Sequence, residues 1–363
     1  METDSIFRAM VDQQASDLFL KVGAPPFLRV RGQLQACGSE ALTRADLLQL
    51  ADELLGPERQ QRLQDERELN VAFERERIGR FRANVLWQRG SLAMVVRRVQ
   101  ASIPDFAALH LPVQALNALA TERRGLVLIT GATSNGKSTT VASLLQYLNH
   151  AAPCHIVTLE DPIEYVFEED KAVINQREIG LDTRSFSEGL KNALRQSPDV
   201  LFLSDIRDEE TMESALLASE AGQLVLSCIH TTNALTTIER VVSFFPPHQQ
   251  QTIRFRLSLT LKGIISQRLL PRLDAQGQIP ACEVLVVTPS IRKALQDGRA
   301  EMIPELLRDG ALQGMQTMTQ SLYALVRQGR VSLEVARAAA DQPDELDLAV
   351  REIRATRDVR RPA

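Results

Sequence analysis

Cysteine is scarce and unpaired in this chain of 363 residues: Cys37, Cys154, Cys228 and Cys282 lie far apart, and no two form a C-x-x-C pair. That spacing excludes a paired-cysteine zinc module and argues for free thiols in a reducing compartment. Long apolar runs are missing as well. No stretch approaches the ~18 residues that a membrane-spanning helix needs. The opening METDSIFRAM carries early acidic groups and lacks the apolar centre of a signal peptide. Nor is there a surplus of positive charge. With 42 Lys and Arg against 46 Asp and Glu, the net charge of −4 gives no basis for general nucleic-acid binding. Internal repeats and low-complexity segments are absent. The expectation is a soluble, cytoplasmic chain.

What is present is ordinary for a globular protein: 44% hydrophobic and 24% charged residues, enough to bury substantial cores. Only RATRDVRRPA, residues 354–363, reads as a solvated tail. The length predicts two domains of roughly 100–250 residues each. Residues 43–55, TRADLLQLADELL, read as an amphipathic helix capped by Thr43, with Asp46 at the third position and Gly56-Pro57 as the stop. Over 69–99, short alternating runs break at Gly79 and Gly90 and predict a small antiparallel sheet. Arg80, Arg82, Arg89, Arg97 and Arg98 form an arginine-rich edge along it. Residues 100–112 hold two prolines and read as a linker.

From residue 126 the rhythm changes. LVLIT (126–130), HIVTLE (155–160), VLFLS (200–204) and LVLSCIH (224–230) do not alternate, and helical stretches separate them. Such strands argue for a parallel sheet covered on both faces. After Thr288 the pattern is helical again, through SIRKALQDG, QSLYALVRQG and SLEVARAAA.

The decisive stretch is GATSNGKST, residues 131–139. Gly131-x-x-x-x-Gly136-Lys137-Ser138 fits G-x-x-x-x-G-K-[ST] and stands between a strand and a helix, as a phosphate-binding loop must. Backbone amides of Gly131, Ala132, Thr133, Ser134, Asn135, Gly136, Lys137, Ser138 and Thr139 then face the phosphates of ATP. Lys137 brings a point charge to the β- and γ-phosphates, and Ser138 brings a hydroxyl to Mg²⁺. Ser134 and Asn135 put side chains where small residues are usual. Asn tolerates positive φ better than other non-glycine residues, which keeps closure of the loop within reach.

Three further strand ends are polar. VTLEDPIEY delivers Glu160, Asp161 and Glu164, groups able to orient water and take its proton. DVLFLSDIRD ends in Asp205, read as the carboxylate that holds the waters of Mg²⁺, and LVLSCIHTTNA ends in His230, placed to sense a γ-phosphate. Each is weak alone; in chain order behind a phosphate loop they form a constellation.

Those segments, with INQREIG, SCIHTTNALTTIERVVSFFP, LSLTLKGIISQRLLPR, EVLVVTPSIRKAL and GMQTM, resemble the secretion-ATPase superfamily from Asp17 to about residue 345. The resemblance is closer to the type IV pilus retraction ATPases PilT and PilU, and INQRE and FFPPHQQ lean toward PilU. It implies an α/β fold: a smaller α+β PAS-like domain over 1–99, a linker over 100–112, and a RecA-like ATPase domain with a helical C-terminal part over 113–363. It implies a homohexamer that binds ATP and Mg²⁺. The expected site is at the cytoplasmic face of the inner membrane, against a pilus platform protein, with a paralogous retraction ATPase as a further partner. Residue by residue it assigns water activation to Glu164, the His box to His230, and nucleotide contacts from the N-terminal domain to Arg82 and Arg97.

The chain departs from the family pattern at three places. Ser204-Asp205 replaces Gly-Glu, Ser134-Asn135 replaces Gly-Ser in the loop, and Gln223 replaces the first histidine of the His box. Read as a cluster around the nucleotide, they predict reduced or partner-dependent turnover. A non-catalytic accessory ring subunit is the alternative. A pilus-assembly or type II secretion ATPase fits less well, because those usually carry a longer N-terminal region and a C-x-x-C zinc module.

Overall fold

The computed structural model describes residues 3–30, 32–99, 102–274 and 277–358. The chain divides into two compact units: Met1–Ser102 with Glu164–Val166, and Ile103–Ile163 with Phe167–Ala363. Residues 100 and 101 of the expected linker and 359–363 of the expected tail lie outside the described residues.

The first unit is built on six antiparallel strands. They are β1 (Asp17–Lys21), β2 (Phe27–Val30), β3 (Gln33–Ala36), β4 (Glu68–Arg75), β5 (Gly79–Gln88) and β6 (Ser91–Arg98), in the order β3-β2-β1-β6-β5-β4. The predicted sheet over 69–99 is therefore half of a larger one. Alternation in β5 buries Phe81, Ala83 and Val85 on one face, and there Phe81 stacks at 5.6 Å on Phe73 and packs against Phe7 of helix Thr3–Asp12. Arg80, Arg82 and Arg97 take the other parity, whereas Arg98 pairs with Phe81. Because β5 and β6 are interior strands, Arg82 and Arg97 stand on a sheet face, not along an edge.

Helix Arg44–Leu54 carries the expected cap: Thr43 Oγ1 accepts from the Asp46 amide, and Asp46 accepts from the Thr43 amide at 2.8 Å. Gly56-Pro57 ends that helix and also starts another, Pro57–Glu66, since proline at the first helical position forfeits no hydrogen bond.

The second unit contains a seven-stranded sheet. Its strands are β7 (Gly125–Thr130), β8 (His155–Glu160), β9 (Val173–Glu178), β10 (Val200–Leu203), β11 (Leu224–Ile229), β12 (Leu261–Pro271) and β13 (Gln278–Val286), in the order β13-β12-β7-β11-β10-β8-β9. Every pairing is parallel except β12 with β13. Each residue of β7 and β11 is buried, which is why neither alternates. One apolar cluster joins Leu126, Leu128, Leu203 and Val225 to helices Glu209–Ala221 and Ala234–Ser243. A second joins Val127, Ile129 and Leu226 to helices Val113–Ala120 and Lys137–Ala151. This is the α/β arrangement expected of a RecA-like ATPase unit, with the phosphate-loop strand inside the sheet.

The C-terminal helices Met318–Arg327, Leu333–Ala339 and Pro343–Asp358 share a core of Leu322, Ala336 and Leu346. Burial of Leu346 fixes the last helix, which runs through Asp358 into the stretch read as a tail. Among the described residues no helix is long and apolar enough to cross a membrane.

Candidate functional site

Three neighbouring strands end at one place. The loop after β7 brings Lys137, the first residue past β11 is His230, and Asp205 follows β10 by two residues. In a parallel sheet, consecutive carboxyl ends make a shared edge for ligands. Lys137 Nζ donates to the carbonyls of Gly131 at 2.9 Å and Ala132 at 3.0 Å, and lies 3.2 Å from His230 Nδ1. His230 Nε2 lies 3.3 Å from Asp205 Oδ2. An ammonium only donates, so in this contact Nδ1 is the accepting nitrogen, and the other ring nitrogen, Nε2, faces the carboxylate.

Asp205 is 5% exposed. Its Oδ2 also accepts from Arg207 Nε at 2.6 Å, a hydrogen bond that pushes the Arg207 guanidinium above its ordinary value. Its Oδ1 is buried and has no partner among the described residues. A buried carboxylate oxygen with nothing to accept is an unmet demand at a functional edge.

The loop itself is fastened from β12. Gln267, 2% exposed, accepts from Thr140 Oγ1 at 2.8 Å and donates to the Asn135 carbonyl at 2.5 Å. The Leu269 amide donates to Asn135 Oδ1 at 3.1 Å. Gly131, at φ 150°, is required here: a Cβ on it would stand 2.5 Å from the Gln267 carbonyl. Asn135 is thus committed to β12, and Ser134 takes the left-handed backbone instead, at φ 66°. Gln267 was not foreseen; the only signal was a polar side chain inside the apolar run of β12.

Two sequence departures have structural uses. The Ser204 hydroxyl accepts from the Asp161 amide at 3.0 Å and ties the end of β10 to the end of β8, a bond glycine cannot make. Gln223 precedes β11, whose first residue pairs with Gly125 and whose last pairs with Thr130. With the six residues of β11 between them, it sits roughly 23 Å from His230, at about 3.3 Å per step. Of the three departures, two, the loop pair and Asp205, lie at the edge that carries Lys137 and His230, and Gln223 does not.

The other candidates are placed as follows. Glu160 is buried between Thr158 Oγ1 at 2.6 Å and Gln176 Nε2 at 3.1 Å, so it joins β8 to β9. Glu164 is exposed in the turn after Asp161-Pro162 and groups with the first unit. Arg82 and Arg97 face each other directly across β5 and β6. Asp17, next along the same rung, pairs with Arg97 at 3.1 Å and with Arg29 at 3.4 Å. Ser138 and Thr139 are half-buried in the first turn of helix Lys137–Ala151.

A cavity of about 280 Å³ opens beside the loop, lined by Leu109, His110, Gly136, Thr139, Leu269 and Arg272 among others. One wall comes from the segment read as a linker.

A match to the family described as Type II/IV secretion system protein spans residues 3–347. The chain is 37% identical to the type IV pilus ATPase PilU of Pseudomonas aeruginosa, over 97% of this chain and 92% of that one. It is 36% identical to the type IV pilus retraction ATPase PilT of the same organism, over 95% and 99%. Among solved structures, the pilus retraction motor PilT with bound ADP superposes with a TM-score of 0.89 at 41% identity, covering 96% of this chain and 99% of that one.

Proposed function

Because the chain belongs to the Type II/IV secretion system protein family, we propose that it hydrolyses ATP to drive type IV pilus retraction. The observation that carries this reading is the hydrogen-bonded line Lys137–His230–Asp205, drawn from three adjacent strand ends beside a phosphate loop. Solved PilT holds ADP on the same fold.

In this reading the loop amides from Gly131 to Thr139 bind the phosphates and Lys137 turns from the loop carbonyls to the β- and γ-oxygens. The cavity beside Gly136 and Thr139 receives the nucleoside. Ser138 Oγ and the unpartnered Asp205 Oδ1 would hold Mg²⁺, which would neutralise phosphate charge. Glu164 accepts a proton from water as its oxygen attacks the γ-phosphorus and the bond to the β–γ bridging oxygen breaks. Arg82 and Arg97 answer the charge that develops. His230 keeps Lys137 and Asp205 in one alignment.

Residues 1–99 form the PAS-like domain, 113–363 the ATPase domain and 100–112 the hinge. The assembly is a homohexamer at the cytoplasmic face of the inner membrane, acting on a pilus platform protein and on a paralogous retraction ATPase where one is present.

One observation favours a second reading, an accessory ring subunit that binds nucleotide and assists an active paralogue. Asp205 is a methylene shorter than the family glutamate, and its Oδ2 is already held twice, by Arg207 and His230. Steady-state Mg-ATP hydrolysis beside Lys137→Ala and Asp205→Glu separates the two. An active native protein with a dead Lys137→Ala variant supports the motor. A silent native protein that Asp205→Glu activates supports the accessory subunit, and silence in both overturns the enzymatic reading.

A further inference from the structure

The segment that leaves His230 is gripped from the far side of the sheet. Alternation in β12 sends Gln267 and Leu269 to the phosphate loop, and Ser266 and Arg268 to the opposite face. Ser266 pairs in register with Glu283 of β13, so Glu283 and Arg268 share that face. Glu283 Oε1 accepts from the amide of Ala234 at 2.7 Å, and its carboxylate also accepts from the backbone of Met318. Ala234 and Met318 are the first residues of their helices, Ala234–Ser243 and Met318–Arg327. Asn233 and Thr317 cap the third amide of each helix, so Glu283 serves donors that the caps leave over.

Arg268 is 17% exposed in its side chain and makes the complementary grip. It donates to the carbonyl of Thr232 at 3.4 Å, to the carbonyl of Ala339, and to Asp341 Oδ1 at 2.6 Å. Thr232 and Ala234 lie two and four residues beyond His230. Ala339 and Asp341 belong to the junction between helices Leu333–Ala339 and Pro343–Asp358. Two side chains therefore hold the His230 segment at two backbone points, and the same two side chains hold the start of helix Met318–Arg327, the end of helix Leu333–Ala339 and the junction that leads into the last helix.

We propose that Glu283 and Arg268 are positioning residues that set His230 between Lys137 and Asp205, and that they tie the C-terminal helices 318–358 to the nucleotide site. The role rests on the ATPase reading. Neither residue touches the nucleotide; both act through the backbone of 231–234. His230 spans 3.2 Å to one partner and 3.3 Å to the other, so a displacement on the order of 1 Å breaks one link, and misplacement of that size lowers rates by ~10²-fold.

The test uses the full-length assembled protein and the variants Glu283→Gln, His230→Ala and the double. Glutamine presents one acceptor and a donor, so one helix-start amide loses its partner. Glu283→Gln lowers kcat about 10- to 100-fold with KM within about three-fold, and in the His230→Ala background it costs less than about two-fold more. An unchanged kcat in a folded Glu283→Gln protein overturns the proposal, and so does a loss that multiplies fully with His230→Ala. If Glu283→Gln does not fold, Arg268→Gln carries the same cycle, since it releases Thr232 and spares both helix starts. Deuterium uptake over 230–236 gives a readout without turnover: Arg268→Gln raises it about ten-fold and leaves 131–139 unchanged. Equal uptake overturns the positioning role. A native protein that hydrolyses no ATP refutes the enzymatic reading alone, and the uptake measurement still decides this one.

Discussion

Asparagine is the better candidate for a left-handed backbone, yet the loop gives that conformation to Ser134 and spends Asn135 on two bonds to β12. A serine at positive φ is strained by about 1–2 kcal/mol. Two hydrogen bonds at Asn135 and one at Thr140 outweigh it, at about 1 kcal/mol each. The residue that makes this arrangement hold is Gln267. Gln267→Leu fills the space without the bonds and strands the Asn135 carbonyl and the Thr140 hydroxyl. We expect a loss of about 2–4 kcal/mol in the second unit, read as a lower urea midpoint, together with weaker ADP binding. Unchanged ADP affinity would mean that the loop holds its shape without β12. Ser204 teaches a related lesson. From sequence it is a missing glycine; in the fold it is an acceptor for Asp161. Side chains that serve a neighbour's backbone leave no periodic signal, which is why Gln267, Ser204 and Glu283 were illegible until the strands were laid side by side.

Elements were more legible, and the reason is burial. Strands buried on both faces read as unbroken apolar runs, so β7, β8, β10 and β11 were found within a residue or two. β9 was passed over because VINQRE is apolar only at its first two positions and lies at the sheet margin, and β12 and β13 because polar residues and a proline interrupt their apolar runs. In the first unit, alternation located β4, β5 and β6 but not β1 beside β6, so the arginines were put on an edge. Their rung also carries a test. Asp17, 7% exposed, stands between Arg29 and Arg97 and offsets the repulsion that Arg82, Arg97 and Arg29 would otherwise share across three strand pairings. Asp17→Asn is expected to lower the first unit's stability by about 1–3 kcal/mol, measured by urea unfolding, and 0.5 M salt is expected to recover part of it. Full stability without salt would show the arginines to be independent.

At Glu283 the linkage has a definite sign. Burial pushes its carboxyl above the ordinary 4.5, with Asp341 raising it further, while the amides of Ala234 and Met318 and the charge of Arg268 pull it down. A raised pKa means that the folded state binds the proton more tightly, so the group's contribution falls as pH rises from about 4.5 through the folded value. The stability difference between native protein and Glu283→Gln should therefore shift against the native protein over that interval, and a flat difference would contradict the burial.

At the scale of the molecule, family membership and the phosphate loop were readable directly, because a motif of fixed spacing needs no partner in space. What the sequence could not supply was distance. Gln223, Ser204-Asp205 and Ser134-Asn135 looked like one cluster of departures, but Gln223 lies at the other end of β11, so only the loop pair and Asp205 stand at the edge that carries Lys137 and His230. The largest remaining test concerns how one site is completed. A ring in which every site was whole within one chain would give no subunit a mechanical reading of its neighbour's nucleotide, whereas a motor needs that reading. We therefore expect Arg82 to act on the next subunit's nucleotide in the proposed hexamer. Arg82→Ala and Lys137→Ala proteins, each inactive, are mixed in equal amounts and allowed to exchange subunits. Every Lys137→Ala chain has Arg82 intact and every Arg82→Ala chain has Lys137 intact, so about one interface in four joins two sound halves in a head-to-tail ring. Turnover should recover to about that fraction of the native rate. A mixture as silent as its components places Arg82 and Lys137 on the same site within one chain.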